Sequence, residues 1–253
     1  MATPSTTLDM APALAAAPLG TIGECSLGRK HKTWLAGRLV LLAIWYGSLG
    51  RCRNRVQQGR TSVNVRTITP EDESRAIDTI VLAFVGDPMT RWVWPNSHQY
   101  LAAMPRFVRA FAGAAFARGG AFCSDEYAGT ALWLPPDVHP DEERLGELME
   151  STASPAAGDA GPAIFEQMAK YHPTEPHWYL PLIGVDPAHQ GKGHGDALMR
   201  HALERFDRDK LAAYLESTNP RNISLYRRHG FEALGTIQAG SSPTLVPMLR
   251  RPR

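Results

Sequence analysis

Eleven consecutive residues, Val185-Asp186-Pro187-Ala188-His189-Gln190-Gly191-Lys192-Gly193-His194-Gly195, bring three glycines to alternate positions between an apolar run and a helical one. Without Cβ atoms there, several backbone N–H groups can converge on one ligand, and the helix that follows adds the positive end of its dipole. The chemistry on offer is anion binding, and spacing narrows the anion. A Walker A loop requires Ser or Thr after Gly-Lys, whereas Lys192 is followed by Gly193. The dinucleotide pattern G-x-G-x-x-G, counted from Gly191, needs a glycine where Asp196 stands. The pattern that remains is Q-x-x-G-x-G.

Such a loop needs a strand before it and a helix after it. The segment 177–185 is apolar on both faces, as in a buried central strand. Pro181 interrupts it, and because proline leaves one ladder bond unmade, a bulge and a local separation from a neighbour are expected there. The segment 193–206 carries Leu198, Ala202 and Phe206 on one helical face with Leu203 beside them. Upstream, Val63, Val65 and Ile68 alternate as in a short strand, and Thr69-Pro70-Glu71-Asp72 opens a helix that ends near Phe84, before Gly86-Asp87-Pro88. A second helix is predicted over 100–118, stopped by Gly119-Gly120, followed by a β-hairpin of 121–124 and 127–134. Helices at 141–151 and 163–171 flank an Ala/Gly/Pro loop at 153–162. Downstream come a strand at 211–217, a helix at 222–229 stopped by Gly230, and closing strands at 231–236 and 244–249. This order predicts a single mixed α/β sheet flanked by helices, within a domain spanning 61–253.

Residues 1–60 have a different composition. The first 28 are mostly Ala, Pro, Thr, Leu and Gly without apolar periodicity, which predicts disorder. The apolar stretch at 34–49 contains Arg38 and is shorter than the roughly 20 residues that span a bilayer. Between an interfacial anchor with basic flanks and a dispensable extension, the extension is the reading taken. This segment carries eight basic side chains against Asp9 and Glu24, a net +6, so the remaining residues sum to −4 of the whole-chain +2. The whole-chain value is too small to predict a general affinity for nucleic acid or for a membrane. The three cysteines, Cys25, Cys52 and Cys123, are too scattered for a zinc site or a disulfide framework, so no metal and a reducing cytoplasm are expected.

With the loop and its flanking elements in place, the sequence resembles the GCN5-related N-acetyltransferase (GNAT) superfamily. Its Q/R-x-x-G-x-G/A loop binds the pyrophosphate of acetyl-CoA after a bulged central strand. A second motif, Asn219-Pro220-Arg221-Asn222-Ile223-Ser224-Leu225-Tyr226-Arg227-Arg228-His229-Gly230-Phe231, matches the family pattern N-x-x-x-x-x-L-Y-x-x-x-G-F. Glu175 to Leu180, Glu216-Ser217-Thr218 and Pro220-Arg221-Asn222 further look like the puromycin N-acetyltransferase branch. The resemblance covers roughly 64–250 and implies a mostly antiparallel α/β sheet with its bulge near Pro181.

It also implies roles. The backbone of Ile183, Gly184 and Val185 would pair with the pantetheine amides, as an added strand pairs with an edge. Gln190, Gly191, Lys192, Gly193, His194 and Gly195 would hold the pyrophosphate, and Asn219 and Asn222 the cofactor arm. Tyr226 would protonate the departing thiolate, since a phenol near pKa 10 suits a thiol near 8.5. Attack needs a neutral amine, and Glu216, at the end of its strand, is the carboxylate expected to serve as base, directly or through water. The implied activity is acetyl-CoA-dependent N-acetylation of a small-molecule amine, an aminonucleoside or other antibiotic among the candidates, by direct attack in a ternary complex of a monomer or homodimer. Cys123 lies far in sequence from both motifs, so an acyl-enzyme is not expected. The competing class is a GNAT module that binds acyl-CoA and regulates without turnover.

Overall fold

The computed structural model describes residues 62–253, all within the compact unit Gln58–Arg253. The extension expected at 1–60, with its apolar stretch at 34–49, lies outside the described residues.

The chain begins with β1 (Val65–Thr67), and a 3-10 turn at Pro70–Asp72 leads into α1 (Glu73–Phe84). Next come α2 (Pro88–Val93), α3 (Ser97–Ala112), α4 (Ala114–Ala117), then β2 (Ala121–Ser124) and β3 (Gly129–Leu134). They are followed by α5 (Glu142–Thr152), α6 (Pro155–Tyr171), β4 (His177–Val185), α7 (His194–Arg208) and β5 (Ala212–Ser217). The chain closes with α8 (Ile223–Arg228), β6 (Glu232–Ala233) and β7 (Val246–Arg250). Seven strands form one sheet in the order β1-β2-β3-β4-β5-β7-β6, antiparallel except between β4 and β5. This is the mixed, mostly antiparallel sheet flanked by helices that the sequence predicted.

Period-two alternation gives each face of the sheet its own core. Trp178, Leu180, Ala213 and Leu215 pack against Leu198, Met199, Ala202, Leu203 and Phe206 of α7. The Trp178 ring stacks on Phe206 with centroids 4.4 Å apart. On the opposite face Leu132, Leu134, Tyr179, Leu182 and Tyr214 pack against Ile77, Ile80, Met104 and Val108 of α1 and α3.

The bulge falls where Pro181 predicts it. Leu132 pairs with Leu182 and Leu134 with Tyr179, so two steps along β3 match three along β4. The extra residue reverses the alternation: Trp178 and Leu180 face α7, but Leu182 faces α1. On its other side β4 pairs with β5 only from His177 to Tyr179, opposite Ala212 to Tyr214. Beyond that point β4 stays on β3 as far as Val185, and β5 stays on β7 as far as Ser217, so the two strands splay apart.

Several boundaries differ from the sequence expectation. The loop expected at 153–162 is the first half of α6: Ser154 caps it by accepting from the Ala157 N–H, Pro155 occupies the first turn, and Ala157, Ala160 and Ile164 are buried. Gly86-Asp87-Pro88 does not only end α1. Asp87 caps α2 by accepting from the Met89 and Thr90 N–H groups, with Pro88 next. The helix expected over 100–118 starts earlier, at Ser97, and breaks at Gly113. Of the first closing strand only Glu232–Ala233 forms, and the segment that follows packs Ile237 and Leu245 against α6.

Gly184 sets the approach of α1 to β4, because a Cβ there would lie 2.5 Å from the Ala83 Cβ. Gly184→Val should therefore destabilise the protein by roughly 2 kcal/mol or more through overpacking. A melting temperature equal to wild type would show that the helix can move aside.

Candidate active site

The splay of β4 and β5 opens a cleft of about 100 Å³, bounded by the end of α1, α2, α3, α6 and α8. On the β5 side, β4 from Leu180 to Val185 has no strand partner among the described residues. Ile183, Gly184 and Val185 thus sit on a free backbone edge, as an added extended ligand requires. Gln190 closes one end, its side-chain amide donating to the Val185 carbonyl at 3.2 Å.

Beyond that edge lies the glycine loop. Gly191 has φ 75° and Gly193 φ 94°, the left-handed region that only glycine enters freely, and a Cβ on either would project into open space. Backbone N–H groups from Gln190 to Asp196 have no hydrogen-bond partner among the described residues, the first helical bond being Ala197 N–H to Gly193 O. Together with the N-terminus of the 15-residue α7, these donors fit a phosphate or pyrophosphate. Lys192 lies in the exposed loop, its ammonium donating to the Ala188 carbonyl at 3.0 Å. Two members of the predicted set differ in detail. His194 is buried, its Nδ1 3.2 Å from Ser124 Oγ, so only its backbone faces the loop. Gly195 faces Leu225 and Val185, so its missing side chain serves the packing of α7 rather than the cradle.

Gly193→Val should weaken coenzyme A binding by roughly tenfold or more while the chain still folds, because the Cβ and the forced change of φ both disturb the N–H array. Calorimetric titration would check this; undiminished affinity in a folded variant would remove the loop from the binding site.

Tyr226 and Glu216 line the same cleft, carried there by α8 and β5. Tyr226 is buried against Phe231, ring centroids 6.1 Å apart. Burial, aided by the negative charge of Asp87, pushes its phenol well above the ordinary tyrosine value. It is therefore a neutral donor throughout the physiological range. Burial also pushes Glu216 up to about 7, against the opposing pull of the Tyr179 and Tyr214 hydroxyls. Its Oε1 and the Tyr214 hydroxyl are buried without a hydrogen-bond partner among the described residues. A buried carboxyl oxygen without a hydrogen-bond partner is costly and fits a group kept for a ligand or a proton.

Asp87, Trp92 and Trp94, near the cleft, are largely structural. Asp87 accepts from Met89, Thr90 and, at 2.7 Å, the Thr218 hydroxyl, joining α2 to the end of β5. The Trp92 indole donates to Ser241 and that of Trp94 to Thr152. Asn222 lines the cleft, whereas the Asn219 side-chain oxygen accepts from the Arg221 N–H and is spent on the turn before α8. Cys123 is buried in β2 and does not line the cleft; burial raises its thiol.

The sequence reading singled out none of Tyr179, Tyr214, His172 and His177 as site residues. The tyrosines sit directly opposite each other where the strands part, Tyr214 two residues before Glu216 and on its face. Beneath them His177 Nδ1 meets the Glu175 carbonyl at 2.8 Å and His177 Nε2 meets His172 Nε2 at 3.1 Å. A carbonyl only accepts, so the proton of neutral His177 belongs on Nδ1, and His172 donates to its Nε2. Burial and the neighbouring His177 and His139 lower His172 to about 4. The signal that could have found this group is the spacing His177-x-Tyr179 and Tyr214-x-Glu216, which puts four polar groups on one face of adjacent strands.

Comparison with known proteins places the fold. Residues 88–231, more than half of the chain, match the model of the acetyltransferase (GNAT) family. A mycothiol acetyltransferase of Saccharomonospora viridis is 29% identical over 121 residues, 41% of this chain and 39% of the relative, so the match spans well under half of that protein. A structure described as a histone acetyltransferase HPA2 and related acetyltransferase, from Corynebacterium glutamicum, superposes with a TM-score of 0.55 and 28% identity, over 76% of this chain and 97% of the other. A polyamine N-acetyltransferase of Drosophila melanogaster superposes with a TM-score of 0.54 at 13% identity, covering 75% and 99%, a likeness of fold.

Proposed function

The chain belongs to the acetyltransferase (GNAT) family, and from that premise we propose that it transfers an acetyl group from acetyl-CoA to a primary amine of a small molecule, by direct attack in a ternary complex. The observation that carries the proposal is the Glu216 carboxyl, its Oε1 buried without a hydrogen-bond partner among the described residues and its pKa raised to about 7, in one cleft with the neutral phenol of Tyr226. A base that ionises near neutrality takes the proton of an ammonium group at working pH, and a protonated phenol meets negative charge as it develops on a leaving sulfur.

The remaining roles follow from position. The free edge at Ile183, Gly184 and Val185 binds the extended pantetheine arm, and the N–H groups of Gln190, Gly191, Lys192, Gly193, His194 and Gly195 hold the pyrophosphate. Asn222 contacts the donor from the cleft wall, and Asn219 shapes the turn that carries it. The domain responsible is 61–253. A regulatory module that only bound acyl-CoA would have no use for a buried carboxyl in its cleft raised toward neutrality, which favours the enzyme.

Incubation with acetyl-CoA and a panel of amines, including aminonucleosides, with free thiol followed over time, tests the proposal. Thiol release that requires an amine is the expected result. Coenzyme A binding without amine-dependent release would leave the regulatory module standing instead.

A further inference from the structure

The acceptor end of the cleft has a chemical character of its own. Its walls are Phe84, Met89, Phe107, Phe111, Met168 and Leu245, drawn from α1, α2, α3, α6 and the segment before β7. Phe107 stacks on Phe111 at 5.0 Å, and Phe111 meets Tyr179 edge-on at 6.1 Å, so an aromatic wall runs up to the group beside Glu216. No Lys, Arg, His or Asp lines the cleft among the described residues, and Glu216 is its sole carboxylate.

Resting on the acetyl-transfer reading, we propose that the acceptor is a monoamine carried on an apolar body about the size of one ring, such as an arylalkylamine or a branched alkylamine. The whole cleft, its β4 edge included, holds about 100 Å³, less than the roughly 150 Å³ apolar cavity that accommodates benzene, which bounds the acceptor body at about one ring. Met89 and Met168, flexible and polarisable, fit their contours to such a body. One ammonium meets one carboxylate at Glu216. A second ammonium would find no second carboxylate, and the hydroxyls of an amino sugar would find, amid Phe, Met and Leu side chains, the Asn222 amide and the Thr90 and Thr218 hydroxyls, whose protons are already given to the Phe84 carbonyl and to Asp87. The same walls that bind an apolar group thus select against polyamines and sugars.

The test compares kcat/KM of the full chain for phenethylamine and isopentylamine with that for putrescine and glucosamine, by thiol release from acetyl-CoA. Phenethylamine should exceed both polar amines by roughly 10- to 100-fold. Met168→Glu, which sets a second carboxylate in the wall, should shift the ratio of putrescine to phenethylamine at least about tenfold toward putrescine. Putrescine or glucosamine matching phenethylamine in the wild type would overturn the acceptor class while leaving amine acetylation intact. So would an unchanged ratio in a Met168→Glu chain that melts like wild type. Thiol release with none of the amines, in a protein that binds coenzyme A, would instead remove the acetyl-transfer reading beneath it. The wild-type comparison decides by itself if the variant does not fold.

Discussion

Tyr226→Phe is expected to lower kcat by roughly 10²- to 10⁴-fold with little change in the KM for acetyl-CoA. The ring is buried and meets Phe231 edge-on at 6.1 Å, contacts that Phe retains, so the cleft keeps its shape. Only the hydroxyl is lost. That hydroxyl is most useful when charge has formed on sulfur, because burial holds the phenol well above its ordinary pKa and a proton leaves it only toward a strong local base. Loss of an interaction made mainly in the transition state lowers kcat and kcat/KM together. Single-turnover kinetics separate chemistry from product release; a Tyr226→Phe enzyme with wild-type chemistry would remove the acid role.

Glu216→Gln is expected to slow turnover and to abolish the acidic limb of kcat/KM for the amine. With the carboxyl raised to about 7, activity rises with pH through that value, where an ordinary glutamate would already be ionised by pH 5.5. An amine's own titration can imitate the limb, so two acceptors of different amine pKa are needed. A limb that stays fixed belongs to the protein. Stability gives a second readout with a definite sign. The folded pKa lies above the unfolded value of 4.5, so the native state binds the proton more tightly and loses stability as pH rises from 4.5 through about 7. Glu216→Gln removes this loss, so its melting temperature should gain on wild type across that window. An unaltered rate profile together with an unaltered melting profile would move the base elsewhere.

The anion loop was legible because its chemistry is local. Gly191 and Gly193 adopt positive φ within a strand-turn-helix whose ends are marked by Val185 and by the α7 stripe, and no distant residue is needed to form it. The bulge was legible for a similar reason, since Pro181 has no N–H to give wherever β4 lies. Tyr226 and Glu216 were also named in advance, but their meeting in one cleft was not, as they reach it from different elements.

Other features were misread where one local signal serves two structures. Asp87-Pro88 reads equally as a helix stop and a helix start, and the chain uses both. The Ala/Gly/Pro run before Ile164 reads as a loop, yet Ser154 caps it and burial of Ala157 and Ala160 makes it helix. By itself the sequence determined the mixed α/β sheet and the glycine loop between β4 and α7, which follow from short-range patterns of glycine, proline and apolar residues, and it singled out Tyr226 and Glu216 through the resemblance of its motifs. Only the tertiary structure decided the splay of β4 from β5, the row from His177 through Tyr179 and Tyr214 to Glu216, and the apolar walls of the acceptor cleft. Those depend on burial and on contacts between segments far apart in the chain, and burial, which shifts Glu216 to about 7, is a property that no stretch of sequence possesses alone.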